Sequence, residues 1–372
     1  MYRVLFMPLL QIPSGHHHVA DCIKEQLDQY SGVFECEKVE VLSYCFGKLE
    51  TLVSNVYLQW IHKLPHLYSQ IYKNAAVKNA KTNRLVTAYE WLFLKKILHL
   101  LRQIKPDIII CTHAFPSYLL NYFKSENLWS GKVINVYTDY FVNNLWGVHH
   151  IDYHFVPSQH VKQELINKGV NEQQIFISGI PIHPIFNNPK SPIEKSKSVV
   201  LISGGNLGVG SILQLLQRLN PSGAIQYKVL CGKNPILFDY LTKLNHPNIL
   251  PVPYIDSKKE MNVLYEEADA ILTKPGGVTI TECLWKRLPI FVYEALPGQE
   301  EYNLEYLKEQ GLVFHLDNWN SSANIEKIII HCMKNKLVRF YKNTDRFHHS
   351  LEDHNILNII RNIMLDKNRL IN

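Results

Sequence analysis

Three consecutive histidines, His16, His17 and His18, stand in "QIPSGHHHVA", between the apolar run "YRVLFMPLL" and the helix-patterned "VADCIKEQL". An imidazole at neutral pH can bind a metal or move a proton. A purification tag would be longer and would sit at an end of the chain. Adjacent histidines point in different directions, and no Asp-x-Asp occurs in the chain to hold a metal diphosphate, which weighs against a metal centre. Proton chemistry by one histidine at a helix N-terminus is the remaining reading, and the positive end of a helix keeps such a ring neutral.

Two glycine-rich stretches could cradle phosphate. "ISGGNLGVGS" places Ser203, Gly204, Gly205 and Asn206 between a strand and a helix, and "TKPGGVTITEC" does the same with Gly276 and Gly277. Glycine lets backbone N–H groups approach an anion, and the helix N-terminus favours its charge; a plain tight turn is the alternative. Thr281 can cap or donate to a phosphate. Glu282 falls about one and a half turns into that helix, where a carboxylate can accept from both hydroxyls of a ribose, or simply be solvated. "LPGQEEYN" sets Gln299, Glu300 and Asn303 at the tip of a strand. Amides and a carboxylate there both donate and accept, as sugar hydroxyls require, although a polar helix start has the same composition.

The elements that must position these groups alternate along the chain. "YRVLFM", "KVEVLSY", "PDIIICTHA", "KVINVYTD", "YHFVPS" and "IFISGIP" read as strands of a first half, with helices in "HVADCIKEQLDQY", "PSYLLNYFKS" and "QHVKQELINKG". The second half repeats the scheme through "SVVLISGG", "IQYKVLCGKN", "ADAILTKPGG" and "LPIFVYEA". Continuous apolar strands separated by helices predict parallel sheets covered on both faces, hence α/β architecture with two Rossmann-like, doubly wound domains. The domains are expected at 1–185 and 199–345, joined by the polar linker "FNNPKSPIEKSKS", with 346–372 a C-terminal helix returning to the first domain. Ligand is expected in a central cleft at the carboxyl ends of the strands. Residues 49–104 break the alternation. They are helical, basic and aromatic, and read as a helical cap, an interfacial membrane surface, or both.

Composition bounds the rest. The chain has 372 residues, 46% hydrophobic, with seven scattered cysteines, 18 histidines and a formal charge of +6. The length suits two cores, and the unpaired cysteine pattern suits a reducing, cytoplasmic setting. The mild positive charge fits a phosphate-bearing ligand or an anionic membrane surface and does not call for nucleic acid. No signal peptide and no spanning segment are legible.

"TKPGGVTITEC" followed by "LPGQEEYN", with "SGHHHVA", "YTDYFVNNLW", "GIPIHPIF" and "CGKN", resembles glycosyltransferase family 28. The closest match is to the processive diacylglycerol glucosyltransferases and monogalactosyldiacylglycerol synthases, over most of the chain. The resemblance implies a GT-B fold and an inverting transfer of a hexosyl group from a UDP-sugar to a lipid hydroxyl, with no metal or other cofactor. It implies a peripheral enzyme on the inner face of the cell membrane. His16, after Ser14 and Gly15, matches the family's proposed base or acceptor-site histidine. Asp139 orients it, accepts the proton itself, or caps the next turn. Gly15, Trp146 and His149 line the acceptor side. Ser203, Gly204, Gly205, Asn206, Lys233, Gly276, Gly277 and Thr281 hold the diphosphate. Glu282 holds the ribose, the Ile255 main chain meets uracil, and Gln299, Glu300 and Asn303 select the sugar. Pro13 departs from the family pattern. A GT-B-type UDP-sugar epimerase and a non-catalytic nucleotide-sugar sensor are the rival readings.

Overall fold

The computed structural model describes residues 1–9, 14–30, 32–47, 87–190, 196–204, 212–219, 221–296, 298–317, 319, 324–352 and 356–365. Gly205, Asn206, Pro13, most of the 49–104 segment (49–86) and the linker's middle (191–195) lie outside them. The chain divides into two compact units, Met1–Pro181 with Ser350–Asn372, and Ile182–His349. The expected boundary at 185 moves to 182: the short turn Pro184–Phe186 belongs to the second unit, where the Phe186 ring meets Tyr265 edge-on at 5.6 Å.

The first unit runs β1 (Tyr2–Phe6), α1 (Gly15–Asp28), β2 (Phe34–Lys38), α2 (Val41–Phe46), α3 (Thr87–Ile104), β3 (Ile108–Cys111), α4 (Ala114–Ser125), β4 (Lys132–Val136), β5 (Tyr153–Val156), α5 (Gln159–Asn167) and β6 (Ile175–Ile177). Its strands form one sheet in the order β2-β1-β3-β4-β5-β6, every pair parallel. Val4, Leu5 and Phe6 of β1 and all of β3 are at most 1% exposed, the signature of strands covered on both faces. β1 lies between β2 and β3, so the crossovers leaving it and returning diverge at its carboxyl end. That divergence opens the crevice where open α/β sheets bind ligands.

One sequence expectation is corrected. "KVEVLSY" is not the second strand: β2 ends at Lys38, and Val41–Phe46 is a helix. The Phe6 carbonyl takes the Val39 N–H at 2.9 Å, and the Pro8 and Leu9 carbonyls take the Val41 and Leu42 N–H groups, which open the helix, at 3.0 and 3.1 Å. The chain then turns, and Val41, Leu42 and Cys45 are buried together at helical spacing.

The second unit runs β7 (Ser198–Ser203), α6 (Ile212–Leu219), β8 (Ile225–Leu230), α7 (Pro235–Leu244), β9 (Ile249–Val252), α8 (Lys258–Glu267), β10 (Ala270–Thr273), α9 (Gly277–Trp285), β11 (Ile290–Val292), α10 (Gln299–Glu309), β12 (Phe314–His315), α11 (Ile325–Asn335) and α12 (Leu337–His349). The sheet order is β12-β11-β10-β7-β8-β9, again all parallel, the doubly wound order of dinucleotide-binding sheets. Its switch point is between β7 and β10. A last helix, α13 (Ile356–Leu365), returns to the first unit. There the Met364 carbonyl accepts from the Tyr2 hydroxyl at 3.3 Å and the Ile363 carbonyl from Lys132 Nζ at 2.8 Å. Glu352, leading into α13, binds Lys162 Nζ at 2.9 Å and the Ile177 N–H at 3.2 Å.

Candidate active site

In the first unit the crevice at the ends of β1, β3 and β4 collects polar side chains. Ser14 is the N-cap of α1 but makes no side-chain cap, so Gly15 and His16 open a helix whose first N–H groups no capping side chain covers. The three histidines fall on this first turn with different fates: His16 is half-buried, His17 is buried and His18 is exposed. The helical rotation per residue separates them.

The His16 ring is held from two sides. Its Nδ1 lies 2.7 Å from the Thr112 carbonyl, just past β3, and 2.9 Å from Thr138 Oγ1, just past β4. A carbonyl only accepts, so Nδ1 carries the proton and Nε2 of the neutral ring keeps its lone pair. Burial lowers the His16 pKa; the Asp139 carboxylate and the Thr112 carbonyl oppose the shift, and His17 adds to it. His16 is therefore a neutral base at pH 7, with a nearby carboxylate to stabilise its protonated form. Asp139 itself is half-buried.

The segment after β4 is anchored from beneath. Asn135 Nδ2 donates to the Gly147 carbonyl at 2.9 Å, and the Gly147 N–H donates to Ser117 Oγ at 3.1 Å. A Cβ on Gly147 would stand 2.4 Å from Asn121 Cβ, so this approach to α4 requires glycine. Trp146 is correspondingly a packed side chain: it is 8% exposed, its ring 4.5 Å from that of Tyr137. The structure thus places it beneath the surface rather than along an open acceptor wall, while His149 is exposed.

In the second unit, the ends of β7, β10 and β11 bring together Ser203, Gly204, Lys274, Gly276 and Glu294. The Tyr293 hydroxyl donates to the Ser203 carbonyl at 3.5 Å, and Lys274 Nζ, on a side chain only 7% exposed, stands 3.8 Å from Glu294. Gly276 is the N-cap of α9 and supplies no side-chain cap; a Cβ there would meet nothing within 4 Å. The turn has open room above it and helix N–H groups beneath, the local requirement for an anion. Thr281 differs from expectation. Its hydroxyl donates to the Gly277 carbonyl at 2.8 Å, one turn back, so its proton is committed within the helix.

Glu282, in the second turn of α9, accepts from the Tyr265 hydroxyl at 2.9 Å. Burial pushes its carboxyl up to about 7, against the opposing pull of Tyr265 and Lys258. Asn303 is buried and donates to the Pro275 carbonyl at 3.1 Å, which makes it a brace of the 274–277 turn. Glu300 accepts the Leu296 N–H at 2.7 Å, and Glu301 the Gly298 N–H at 3.2 Å; together they shape the turn that presents Gln299. Lys233 is exposed, with Nζ 4.9 Å from the Tyr254 ring centroid. Ile255, beyond β9, is half-buried.

Sequence reasoning missed Thr112, Thr138, His113, Tyr265 and Lys274. "CTHAF" after a fully apolar strand and the lysine of "TKPGG" were the available signals. Among the described residues, no three His, Cys, Asp or Glu side chains are grouped to hold a metal, and no helix is long and apolar enough to cross a membrane.

The family model described as monogalactosyldiacylglycerol (MGDG) synthase matches residues 16–182. An uncharacterized glycosyltransferase, YkoN of Bacillus subtilis (strain 168), is 44% identical over 377 residues, covering 100% of each chain. A processive diacylglycerol beta-glucosyltransferase of Bacillus thuringiensis (strain Al Hakam) is 30% identical over 311 residues, 80% of this chain and 78% of that one. The chain belongs to glycosyltransferase family 28. Among solved structures, MurG of Acinetobacter baumannii superposes with a TM-score of 0.63 at 13% identity, covering 98% of this chain and 100% of that one. That likeness bears on fold alone, and the fold of this family 28 glycosyltransferase is GT-B.

Proposed function

We propose that this family 28 glycosyltransferase moves a hexosyl group from a UDP-sugar to a hydroxyl of a lipid acceptor of the diacylglycerol type, with inversion and without a metal or other cofactor. The observation that carries the reading is the His16 ring, whose proton is fixed on Nδ1 by the Thr112 carbonyl. Its Nε2 is thereby a lone-pair base at the sheet end of the first unit. The diacylglycerol glucosyltransferase relatives supply the acceptor class.

In this mechanism the acceptor hydroxyl gives its proton to His16 Nε2 and its oxygen attacks the anomeric carbon. The bond from that carbon to the diphosphate oxygen breaks, and UDP leaves with the electron pair. Attack opposite the leaving group inverts the centre. Asp139 stabilises the imidazolium that forms. In the second unit, the N–H groups opening α9 and the Lys274 ammonium offset the charge gathering on the diphosphate. Glu282 accepts from the ribose hydroxyls, the Ile255 main chain meets the base, and Gln299 and Glu300 contact the sugar. The setting is the cytoplasmic face of an anionic membrane, to which the chain binds peripherally.

The test is incubation with UDP-glucose or UDP-galactose and dioleoylglycerol in anionic vesicles, following free UDP and glycolipid. UDP release that requires the lipid and survives excess EDTA is expected. An isomerised sugar nucleotide formed without acceptor would make the chain an epimerase. Nucleotide-sugar binding with no turnover would make it a sensor. Activity abolished by EDTA and restored by magnesium would refute the metal-free mechanism.

A further inference from the structure

A second histidine stands beside His16, and the mechanism above leaves it without a task. His113 is the N-cap of α4, and its Nδ1 accepts the Phe115 N–H at 3.1 Å. A ring nitrogen that accepts an N–H carries no proton, so the neutral His113 is protonated on Nε2. Burial first, then the neighbouring His16 and His17, holds its pKa well below the ordinary histidine value, and the ring stays neutral at working pH. His16 is locked in the opposite tautomer by the Thr112 carbonyl. The two rings meet edge to face, with centroids 4.8 Å apart and planes at 75°. Both side chains are half-buried rather than sealed. Among the described residues neither Nε2 has a hydrogen-bond partner. The crevice therefore presents one nitrogen that can only accept beside one that can only donate.

We propose that His113 is a substrate-binding residue of the acceptor site, donating its Nε2–H to a second oxygen of the acceptor next to the hydroxyl deprotonated by His16. The inference rests on the transfer reading above and narrows its substrate class. The preferred acceptor carries a hydroxyl and, adjacent to it, an oxygen with a free lone pair. The ester carbonyl of a diacylglycerol and the neighbouring hydroxyl of a sugar both qualify, whereas a simple long-chain alcohol does not.

Two variants separate this role from a structural one. His113→Asn keeps an oxygen where Nδ1 accepts the Phe115 N–H but brings no donor out to the Nε2 position. His113→Gln places an amide N–H near that position and gives up the cap. The assay compares kcat/KM for dioctanoylglycerol and for dodecanol, with UDP-glucose as donor. For His113→Asn the ratio of the two is expected to fall about tenfold, the scale of one lost hydrogen bond in a partly buried site. The fall should come through the KM for dioctanoylglycerol, at unchanged melting temperature. His113→Gln is expected to melt lower yet recover most of the preference. An unchanged ratio in His113→Asn, or equal losses on both acceptors, overturns the proposal. If the wild-type enzyme glycosylates neither acceptor, the transfer reading fails by itself. Imidazole ¹⁵N spectra then decide: dioctanoylglycerol must shift the His113 Nε2 resonance, and no shift overturns the inference.

Discussion

Replacing Glu282 by glutamine should make the ligand-free protein more stable while weakening its grip on UDP. The Glu282 carboxyl titrates at about 7 in the folded chain against 4.5 as its ordinary value, because burial disfavours its charge. The folded state thus holds this proton more tightly than the unfolded state does. Its contribution to stability is fully present below pH 4.5 and is lost as pH rises through about 7. Displacement of this size corresponds to about 3 kcal/mol at pH 8, and solvent reaching the half-buried side chain reduces it to about 2 kcal/mol. Glutamine keeps the oxygen that accepts from Tyr265 and carries no charge. Glu282→Gln is therefore expected to gain about 2 kcal/mol in chemical denaturation at pH 8, and progressively less toward pH 5. Binding should run the other way. If the ionised carboxylate is the form that accepts from both ribose hydroxyls, its population falls about tenfold from pH 8 to pH 6, and the wild-type Kd for UDP rises by the same factor. UDP itself titrates in this range, so the measured quantity is the ratio of wild-type to Glu282→Gln affinity by calorimetry at both pH values. At pH 8 the variant should bind about 1–3 kcal/mol more weakly. Parallel pH dependences in the two proteins would remove Glu282 from the nucleotide site. A variant no more stable than wild type at pH 8 would refute the strained carboxylate.

Further outcomes follow from the first unit. His16→Ala should lower kcat by about 10²–10⁴ while donor affinity holds, and His18→Ala, on the exposed side of the turn, should cost far less. Activity should fall as pH drops through the lowered His16 pKa, since only the neutral ring accepts a proton. Asp139→Asn removes the charge that raises this pKa, so the acid limb of kcat/KM should move to lower pH. A larger loss than in His16→Ala would reassign the base to Asp139, and an unmoved limb would refute the coupling of Asp139 to His16. Ile360→Ala empties a fully buried position of α13 and should destabilise the first unit by about 2–5 kcal/mol in chemical denaturation. A cost below about 1 kcal/mol would mean that the returning helix is not part of that core.

The sequence by itself determined what depends on local pattern. Runs such as "IIIC" and "VVLI" are apolar at every position because their strands are covered on both faces, and the intervening helices follow from their amphipathic spacing. The glycine pair that opens α9 and the histidine at the start of α1 are legible because strand-to-helix turns have a local chemistry of their own. Local pattern failed at "KVEVLSY", where Val39 and Val41 have strand spacing, while in the folded chain Val41, Leu42 and Cys45 are buried together on one helix face. Local turns partner Thr281, Glu300 and Glu301, but how His16 and Glu282 are partnered was decided by tertiary structure. His16 meets Thr112 and Thr138 because β1, β3 and β4 are neighbours in the sheet, although those residues lie 96 and 122 positions away. The same pairing sets the His16 tautomer, brings His113 against it, and leaves the His16 Nε2 lone pair available. Tyr265 finds Glu282 across the β10 crossover, and the tail closes on β1 from 362 positions away. A side chain's type limits the chemistry it can do. Its proton position and charge depend on burial and on hydrogen-bond partners, and parallel sheets draw those partners from distant parts of the chain.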